Sequence, residues 1–362
     1  MRFSDVLDIR NGRNQRQVEN ENGKYPIYGS GGVIGHADNF ICDAETVVIG
    51  RKGSINNPIF VDEPFWNVDT AFGLVANKEV LLPKYLYYFC VNYNFEQLNT
   101  TVTIPSLTKA NLLQIEIRVP DMDIQQNIVN VLDKICYLID VRRKELYSLD
   151  QLVKSRFIEL FGDPDVNSKG WNECALSEKL NVVGGYAFKS DQFDEERGIP
   201  VLRIGNINAG FFRPVNLVYW HEDESLERYI VYPGELVMSL TGTVGKDDYG
   251  NVCILGDDYG KYYLNQRNAK LEIVEGIDKY YLSQLLKFEQ IKKRLTGISR
   301  GVRQANISNK DILNLVVPVP PMEIQEQFSA FVAQTDKSKL AVQQGLQELE
   351  TLKKSLMQQY FG

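Results

Sequence analysis

Val119-Pro120-Asp121-Met122-Asp123-Ile124-Gln125 returns 200 residues later as Val319-Pro320-Pro321-Met322-Glu323-Ile324-Gln325. The match continues without a gap. Leu146, Leu149 and Leu152 fall on Leu346, Leu349 and Leu352, Lys154-Ser155 falls on Lys354-Ser355, and Phe161-Gly162 falls on Phe361-Gly362. Residues 115–162 and 315–362 are one segment written twice, with 12 identities in 48 positions. A repeat this long implies two structurally equivalent halves, so the fold is read as a duplication first.

Outside these tails the repeat is weaker. Ser4-Asp5-Val6-Leu7 resembles Ser177-Glu178-Lys179-Leu180, and Asn11-Gly12 falls on Gly184-Gly185. Glu45 through Gly53-Ser54 resembles Glu235 through Gly242-Thr243, and Lys84-Tyr85 resembles Lys279-Tyr280. The offset climbs along the chain and then stays fixed through the tails. Loops tolerate insertions, whereas a helix whose length sets a distance does not.

Within the tails, Ile124, Ile128, Val131, Ile135, Leu138, Leu149, Leu152 and Phe157 recur at three- and four-residue steps. Ile324, Phe328, Phe331, Leu346, Leu349, Leu352 and Leu356 do the same. Each tail begins after a proline, Pro120 or Pro320, which suits a helix start. A helix of about 40 residues is roughly 55–60 Å long. That length fits a coiled-coil arm, and two arms matched without gaps suggest antiparallel partners. The plainer alternative is that each tail packs on its own domain. One departure at the first turn is Asp121, where the second copy has Pro321.

The expected fold class is therefore α+β within the broad α/β group. Two pseudo-symmetric globular domains, residues 1–114 and 163–314, are joined by two long antiparallel helical arms, residues 115–162 and 315–362. Thr46–Ile49, Ala71–Val75, Leu236–Leu240 and Ala269–Ile273 read as strands, and Tyr85–Val91 and Tyr280–Leu295 as helices. Gly162-Asp163-Pro164 reads as a break between halves.

Composition narrows function. The net charge is −7, and none of the four segments is basic overall. A protein that binds nucleic acid alone usually carries a basic footprint. Any DNA contact here would use local patches and a basic partner. Met1-Arg2-Phe3-Ser4-Asp5 has no apolar signal segment, and no stretch approaches a membrane span. Five cysteines without a Cys-x-x-Cys pair fit reduced thiols and a cytoplasmic location.

Catalytic chemistry is hard to build from this sequence. His36 and His221 are its two histidines, too few for a histidine-rich metal centre. Thr241-Gly242-Thr243-Val244-Gly245-Lys246 lacks the leading Gly and the final Ser/Thr of a P-loop. Tyr28 to Gly35 is glycine-rich but reads as a turn, with no strand before it. The chain is read as non-enzymatic, with no catalytic residue and no metal site.

The candidate DNA-binding residues are basic or amide-bearing. Lys292, Lys293, Arg294, Arg300 and Arg303 belong to the strongest basic run, from Lys287 to Arg303. Arg10, Arg13 and Arg16 alternate with Asn11, Asn14 and Gln15. Arg, Asn and Gln can make bidentate contacts to base edges. Arg51 and Lys52 lie in a tight basic turn, Gly50 to Ser54, whose weaker counterpart holds Thr241 and Thr243 and which could hold a phosphate. Arg267 lies in Asn265-Gln266-Arg267-Asn268, loosely matched to Asn67-Val68-Asp69-Thr70. Each of these also has a plainer reading as a solvated face, loop or turn. Ile128, Ile135, Leu149, Leu152, Leu346, Leu349 and Leu352 are the candidate partner-binding residues on the arms.

Taken together, the chain resembles the specificity subunits of type I restriction-modification systems over its whole length. The carrying residues are the paired tails, Tyr25-Pro26-Ile27-Tyr28-Gly29-Ser30-Gly31-Gly32, Ile49-Gly50-Arg51-Lys52-Gly53-Ser54 and Trp66-Asn67-Val68-Asp69-Thr70-Ala71-Phe72. The resemblance implies two target-recognition domains, each reading half of a bipartite site on double-stranded DNA. It implies that the helices act as a ruler and dock two DNA adenine methyltransferase subunits, which restriction (motor and nuclease) subunits then join. S-adenosylmethionine, ATP and Mg would then belong to the partners and not to this chain. On this reading, Arg300→Ala or Arg303→Ala would disturb one half-site only. The competing reading is a structural adaptor that assembles partners through its duplicated arms without reading DNA.

Overall fold

The computed structural model describes residues 1–99, 106–208, 210–243, 246, 248–297 and 304–362. The first part of the chain forms α1 (Phe3–Val6), β1 (Leu7–Asn11), β2 (Tyr25–Gly29), β3 (Gly32–Ala37), β4 (Thr46–Gly50), β5 (Ile59–Val61), β6 (Trp66–Asn67), β7 (Ala71–Ala76), α2 (Pro83–Asn92), α3 (Lys109–Leu112) and α4 (Met122–Phe161). The second forms β8 (Glu173–Ala175), β9 (Leu180–Gly184), β10 (Ile199–Leu202), β11 (Val218–Trp220), β12 (Ile230–Val231), β13 (Leu236–Ser239), β14 (Thr241–Thr243), β15 (Val252–Ile254), β16 (Tyr262–Leu264) and β17 (Asn268–Ile273). It continues through α5 (Lys279–Leu285), α6 (Glu289–Thr296), β18 (Gln304–Asn306), α7 (Asn309–Leu313), β19 (Val316–Pro318) and α8 (Met322–Phe361).

Strand order carries the duplication well beyond the sequence signal. The main sheet of the first part runs β1-β7-β4-β5, and that of the second β9-β17-β13-β15, every pair antiparallel. Beside each lies a smaller sheet. In one, β2 pairs antiparallel with β3 and parallel with β6; in the other, β10 pairs antiparallel with β11 and parallel with β16. The second part adds β12 on β16. The central strands suit burial on both faces: β4, Thr-Val-Val-Ile-Gly, is buried throughout, and its β-branched side chains fit a pleated surface.

The chain divides into two compact units, residues 1–145 with 342–362, and residues 146–341. In the first unit, Ile128, Val129 and Leu132 of α4 share a core with Met357 of α8. Further along, Arg143 pairs with Glu350 at 2.7 Å. In the second unit, Phe157 of α4 packs edge-on to Phe328 of α8 at 5.5 Å, and Asp150 pairs with Lys339 at 2.7 Å. In each unit, then, the two helix stretches run antiparallel.

Matched anchors explain why the tails retained certain residues. Gln125 and Gln325 are both fully buried. Gln125 accepts from the Leu82 N–H at 2.9 Å and donates to the carbonyls of Val80 and Pro120. Gln325 accepts from the Asp278 N–H at 2.8 Å and donates to the Pro320 carbonyl. Tyr85 and Tyr281 donate their hydroxyls to the carbonyls of Arg118 and Pro318. Phe361 then packs edge-on against Tyr85 in the first unit, and Phe161 against Tyr281 in the second. Each tail therefore starts on its own globular part and ends on the tyrosine of the other, so packing on its own domain accounts for half of each tail.

Two expectations change. Tyr280–Leu295 is two helices, because the chain turns at Leu286–Phe288 and sends Phe288 into the core beside Phe157, 4.9 Å away. The glycine-rich stretch Tyr28–Gly35 is the hairpin of β2 and β3, so a strand does precede it; another strand follows. Asp121 disturbs nothing: its carbonyl accepts from the Gln125 N–H at 3.0 Å, as Pro321 does from Gln325 at 3.3 Å.

Candidate nucleic-acid interface

In the first unit, three chain segments converge on the four-residue turn Val68–Ala71 between β6 and β7. The Ala71 N–H donates to Val68 O at 2.9 Å and closes the turn, and the Val68 N–H donates to Tyr28 O at 3.0 Å. Asn67, fully buried, donates Nδ2 to the carbonyls of Arg10 and Ala71. The Gly12 N–H donates to Ala71 O, and a Cβ at Gly12 would lie 1.8 Å from Val68 O, so only glycine lets the backbones approach. The Arg13 N–H donates to Asn67 O at 2.9 Å, and Trp66 Nε1 returns a bond to Arg13 O at 3.0 Å. From the other side, the N–H groups of Arg51 and Lys52 both donate to Thr70 O.

This frame exposes Arg13, Arg51, Lys52 and Asp69 around one turn. The Arg51 guanidinium lies 5.7 Å from the centre of the Phe72 ring, a cation–π placement that holds it at the surface. Arg10 contributes its backbone here, while its side chain pairs with Asp8 at 3.2 Å. Arg16 is exposed further along the loop after β1, in a turn where its N–H donates to Asn14 Oδ1.

The second unit builds the same frame at an offset of 197 through the turn. The Asn268 N–H donates to Asn265 O at 2.9 Å, and the Asn265 N–H to Leu202 O at 3.2 Å. The Gly185 N–H donates to Asn268 O, and a Cβ there would lie 2.2 Å from Asn265 O. The Tyr186 N–H donates to Leu264 O, and the Leu240 N–H to Arg267 O. The true partner of Asn265-Gln266-Arg267-Asn268 is thus Val68-Asp69-Thr70-Ala71, one residue later than the sequence comparison placed it. Tyr186 stands where Arg13 stands, Leu240-Thr241 where Arg51-Lys52 stands, and Gln266-Arg267 where Asp69-Thr70 stands.

Consequently the cations are placed differently. Arg267 is exposed at the turn itself. Thr241 and Thr243 lie on β14, which pairs with β18 as Lys52 pairs with Ser106. The Thr243 N–H donates to Asp248 Oδ1 at 2.7 Å, and that bond holds the Asp248 carboxyl below the usual carboxylate range. Beside the turn lies an open cavity of about 550 Å³, lined by Arg203, Asn216, Gln266 and Arg267 with Phe188 and Phe193.

The basic run on α6 is not a single patch. Lys292 turns inward, 8% exposed, and donates Nζ to Asn251 Oδ1 at 2.7 Å. Its position follows Ile291 on the face that also buries Phe288 and Leu295, which is why the helix carries it inside. Lys293 pairs with Glu289 one turn back, and Arg294 with Asp165 at 2.9 Å. Arg300 and Arg303 lie outside the described residues.

On the arms, Ile128 and Ile135 are buried inside the first unit. Leu149, Leu346 and Leu349 are half-buried, while Leu152 and Leu352 are about half exposed. Ile124, Val131 and Leu138, read from the sequence as part of one apolar face, are instead exposed at seven-residue intervals in the first unit. Buried Ile128 and Ile135 recur at the same seven-residue interval, so spacing alone does not separate the exposed series from the buried one. The sequence reading also missed Tyr186 and Arg203, since only strand register brings them beside the turn; Gln266 lay in the stretch read as able to contact bases, and Asp69 in its loose match, without either being singled out.

The five cysteines are free. Among the described residues, no group of three His, Cys, Asp or Glu could hold a metal ion, and no helix is long and apolar enough to cross a membrane.

Residues 1–151 and 168–351 match the sequence profile of the type I restriction modification DNA specificity domain. The chain is 25% identical over 337 residues to the MjaVIII specificity subunit of a type I restriction enzyme from Methanocaldococcus jannaschii, covering 87% of this chain and 75% of that protein. Its fold is similar to the crystal structure of a type I restriction-modification S subunit from M. genitalium, with a TM-score of 0.65 and 18% identity over 100% of this chain and 95% of the other. A structure from work on assembly and conformational transition of the type I system gives a TM-score of 0.54, with 16% identity over 100% and 96%.

Proposed function

Because the chain belongs to the type I restriction-modification DNA specificity family, we propose that it recognises a bipartite DNA sequence on behalf of methyltransferase and restriction partners. Residues 1–114 and 163–314 act as target-recognition domains, one per half-site. Residues 115–162 and 315–362 act as helical spacers that fix the gap between half-sites. The observation that carries this reading is the pair of turns held by the same main-chain bonds and dressed with different side chains. Such a pair suits two reading heads with one geometry and two specificities.

Several features support the finer roles. Arg13, Arg51 and Lys52 ring the first turn and would meet phosphate or base edges, with Arg10 and Arg16 at its margin; Arg267 would do so at the second. α4 and α8 are both 40 residues long, and the sequence match between them has no insertion, as a spacer requires. The exposed Ile124-Val131-Leu138 stripe, with Leu152 and Leu352, offers helical docking faces to the methyltransferases. With a net charge of −7, the chain would leave much of the phosphate neutralisation to those partners. Methyl transfer from S-adenosylmethionine, ATP use and Mg binding would belong to the partners, and the complex would act on DNA in the cytoplasm.

The test is a genome-wide map of modified adenines with the gene intact and deleted. Loss of one split motif with a constant spacer upon deletion is the expected result. A complex that assembles with a methyltransferase yet shows no motif dependent on this chain would favour an adaptor that does not read DNA.

A further inference from the structure

The geometry points to the two equivalent turns as the specificity determinants: Gln266 and Arg267 read the major-groove edges of purines in one half-site, and Asp69 reads an amino-bearing base in the other. This rests on the bipartite reading above and adds the residues and the base chemistry.

Within each turn the main chain is committed to the frame, and the exposed side chains are not. In the second unit, the Arg267 N–H donates to Asn265 Oδ1 at 3.2 Å, so Asn265 caps the turn. Asn268 is buried beneath it and donates Nδ2 to Leu202 O at 2.9 Å. Gln266 and Arg267 remain exposed, and among the described residues their side chains make no hydrogen bond or ion pair. In the first unit, Val68 is buried and Thr70 half-buried, which leaves Asp69 as the exposed side chain of the turn, likewise unpaired among the described residues.

Chemistry then separates the two. A guanidinium fork matches the O6 and N7 acceptors of guanine, and a glutamine amide matches N6 and N7 of adenine. A carboxylate accepts from the amino groups of cytosine or adenine and is repelled by phosphate, so Asp69 is ill-suited to a backbone contact. The cations of the first tip surround Asp69 at Arg13, Arg51 and Lys52, where they can hold phosphates while the carboxylate faces a base. In the second tip, Leu240-Thr241 stands where Arg51-Lys52 does. There the cation sits within the turn, with Arg203 across the adjoining cavity.

The experiment compares full-length chains, each assembled with its methyltransferase, by the motif recovered from modified adenines. Arg267→Ala and Gln266→Ala should raise modification about tenfold or more at sites altered in one or two adjacent bases of one half-site. The other half-site and the spacer should stay unchanged. Asp69→Ala should relax the other half-site alone. Because the two turns share their main-chain bonds, Asp69→Gln with Thr70→Arg should redirect that half-site towards a purine. Uniform loss at all sites with no relaxed position would assign these side chains to phosphates and overturn the inference, as would an unchanged motif. If the unmodified chain yields no split motif, the bipartite reading itself fails. Thermal melts check folding. Where an alanine variant melts early, Asp69→Asn, Gln266→Glu and Arg267→Gln keep a polar side chain in place and must still shift the preferred base.

Discussion

The two halves agree at their helix anchors and disagree at their tips. Gln125 and Gln325 make equivalent buried bonds, Tyr85 and Tyr281 reach equivalent carbonyls, and Phe361 and Phe161 close on those tyrosines. At the tips, Gly12 and Gly185 make the same close approach, but Tyr186 stands in place of Arg13, Leu240-Thr241 in place of Arg51-Lys52, and Gln266 in place of Asp69. Buried polar groups must be satisfied and close backbones admit only glycine, so those positions had little freedom. Among the described residues, the exposed side chains of Asp69, Gln266 and Arg267 make no hydrogen bond or ion pair that would hold them. Fixed frame and free surface are what a reader of changing sequences needs.

That comparison can be broken first at the terminal phenylalanines. Phe161 is buried at 3% exposure within an aromatic cluster, while Phe361 is only half-buried. Phe161→Ala should cost about 3–5 kcal/mol in urea unfolding, and Phe361→Ala about 1–2 kcal/mol. Equal losses would show that the equivalence of the two contacts runs deeper than burial suggests.

The glutamines sharpen it next. Gln125→Ala strips the partner from the Leu82 N–H and Gln325→Ala from the Asp278 N–H, so each should cost about 1–3 kcal/mol. A silent variant in either half, measured by chemical denaturation, would remove that anchor from the shared frame.

The thiols ask whether the halves protect their cores alike. Burial pushes Cys42 and Cys253 up from 9.0 to about 12. Folding favours the neutral thiol, so the stabilisation is full below pH 9 and is lost as pH rises from there towards 12. At pH 8 the folded chain should leave both unalkylated by iodoacetamide while the partly exposed Cys136 and Cys174 react. Rapid labelling of Cys42 or Cys253 would mark a half that opens locally.

The smallest effect belongs to the ion pairs between helix stretches. Arg143→Ala and Lys339→Ala should each cost no more than about 0.2–1 kcal/mol, because Glu350 and Asp150 are solvated. A larger loss in thermal unfolding would show that these pairs do more than join two wet surfaces.

Much of this was legible beforehand, where the signal was local. The tails, their helical period, β4, β7, β13, β17 and the glycine at each tip can be read from spacing and residue type. The break at Leu286–Phe288 was not, since it exists to place Phe288 against Phe157, a residue far away in the chain. The inward turn of Lys292 and the exposure of Ile124, Val131 and Leu138 escaped for the same reason: apolar periodicity does not say which face meets the core. The equivalence of Asp69 with Gln266 slipped by one residue, because only hydrogen-bond register fixes it.

By itself, then, the sequence determined that the chain is a duplication with two gapless helical arms and two diverged globular parts, because period and repeat are properties of neighbouring residues. Tertiary structure alone decided which residues meet. Strand register carried Gly12, Arg13, Arg51 and the turn after β6 to one point, and Gly185, Tyr186, Leu240 and the turn after β16 to its counterpart. Pairing of distant backbone groups is a long-range condition that no local pattern encodes.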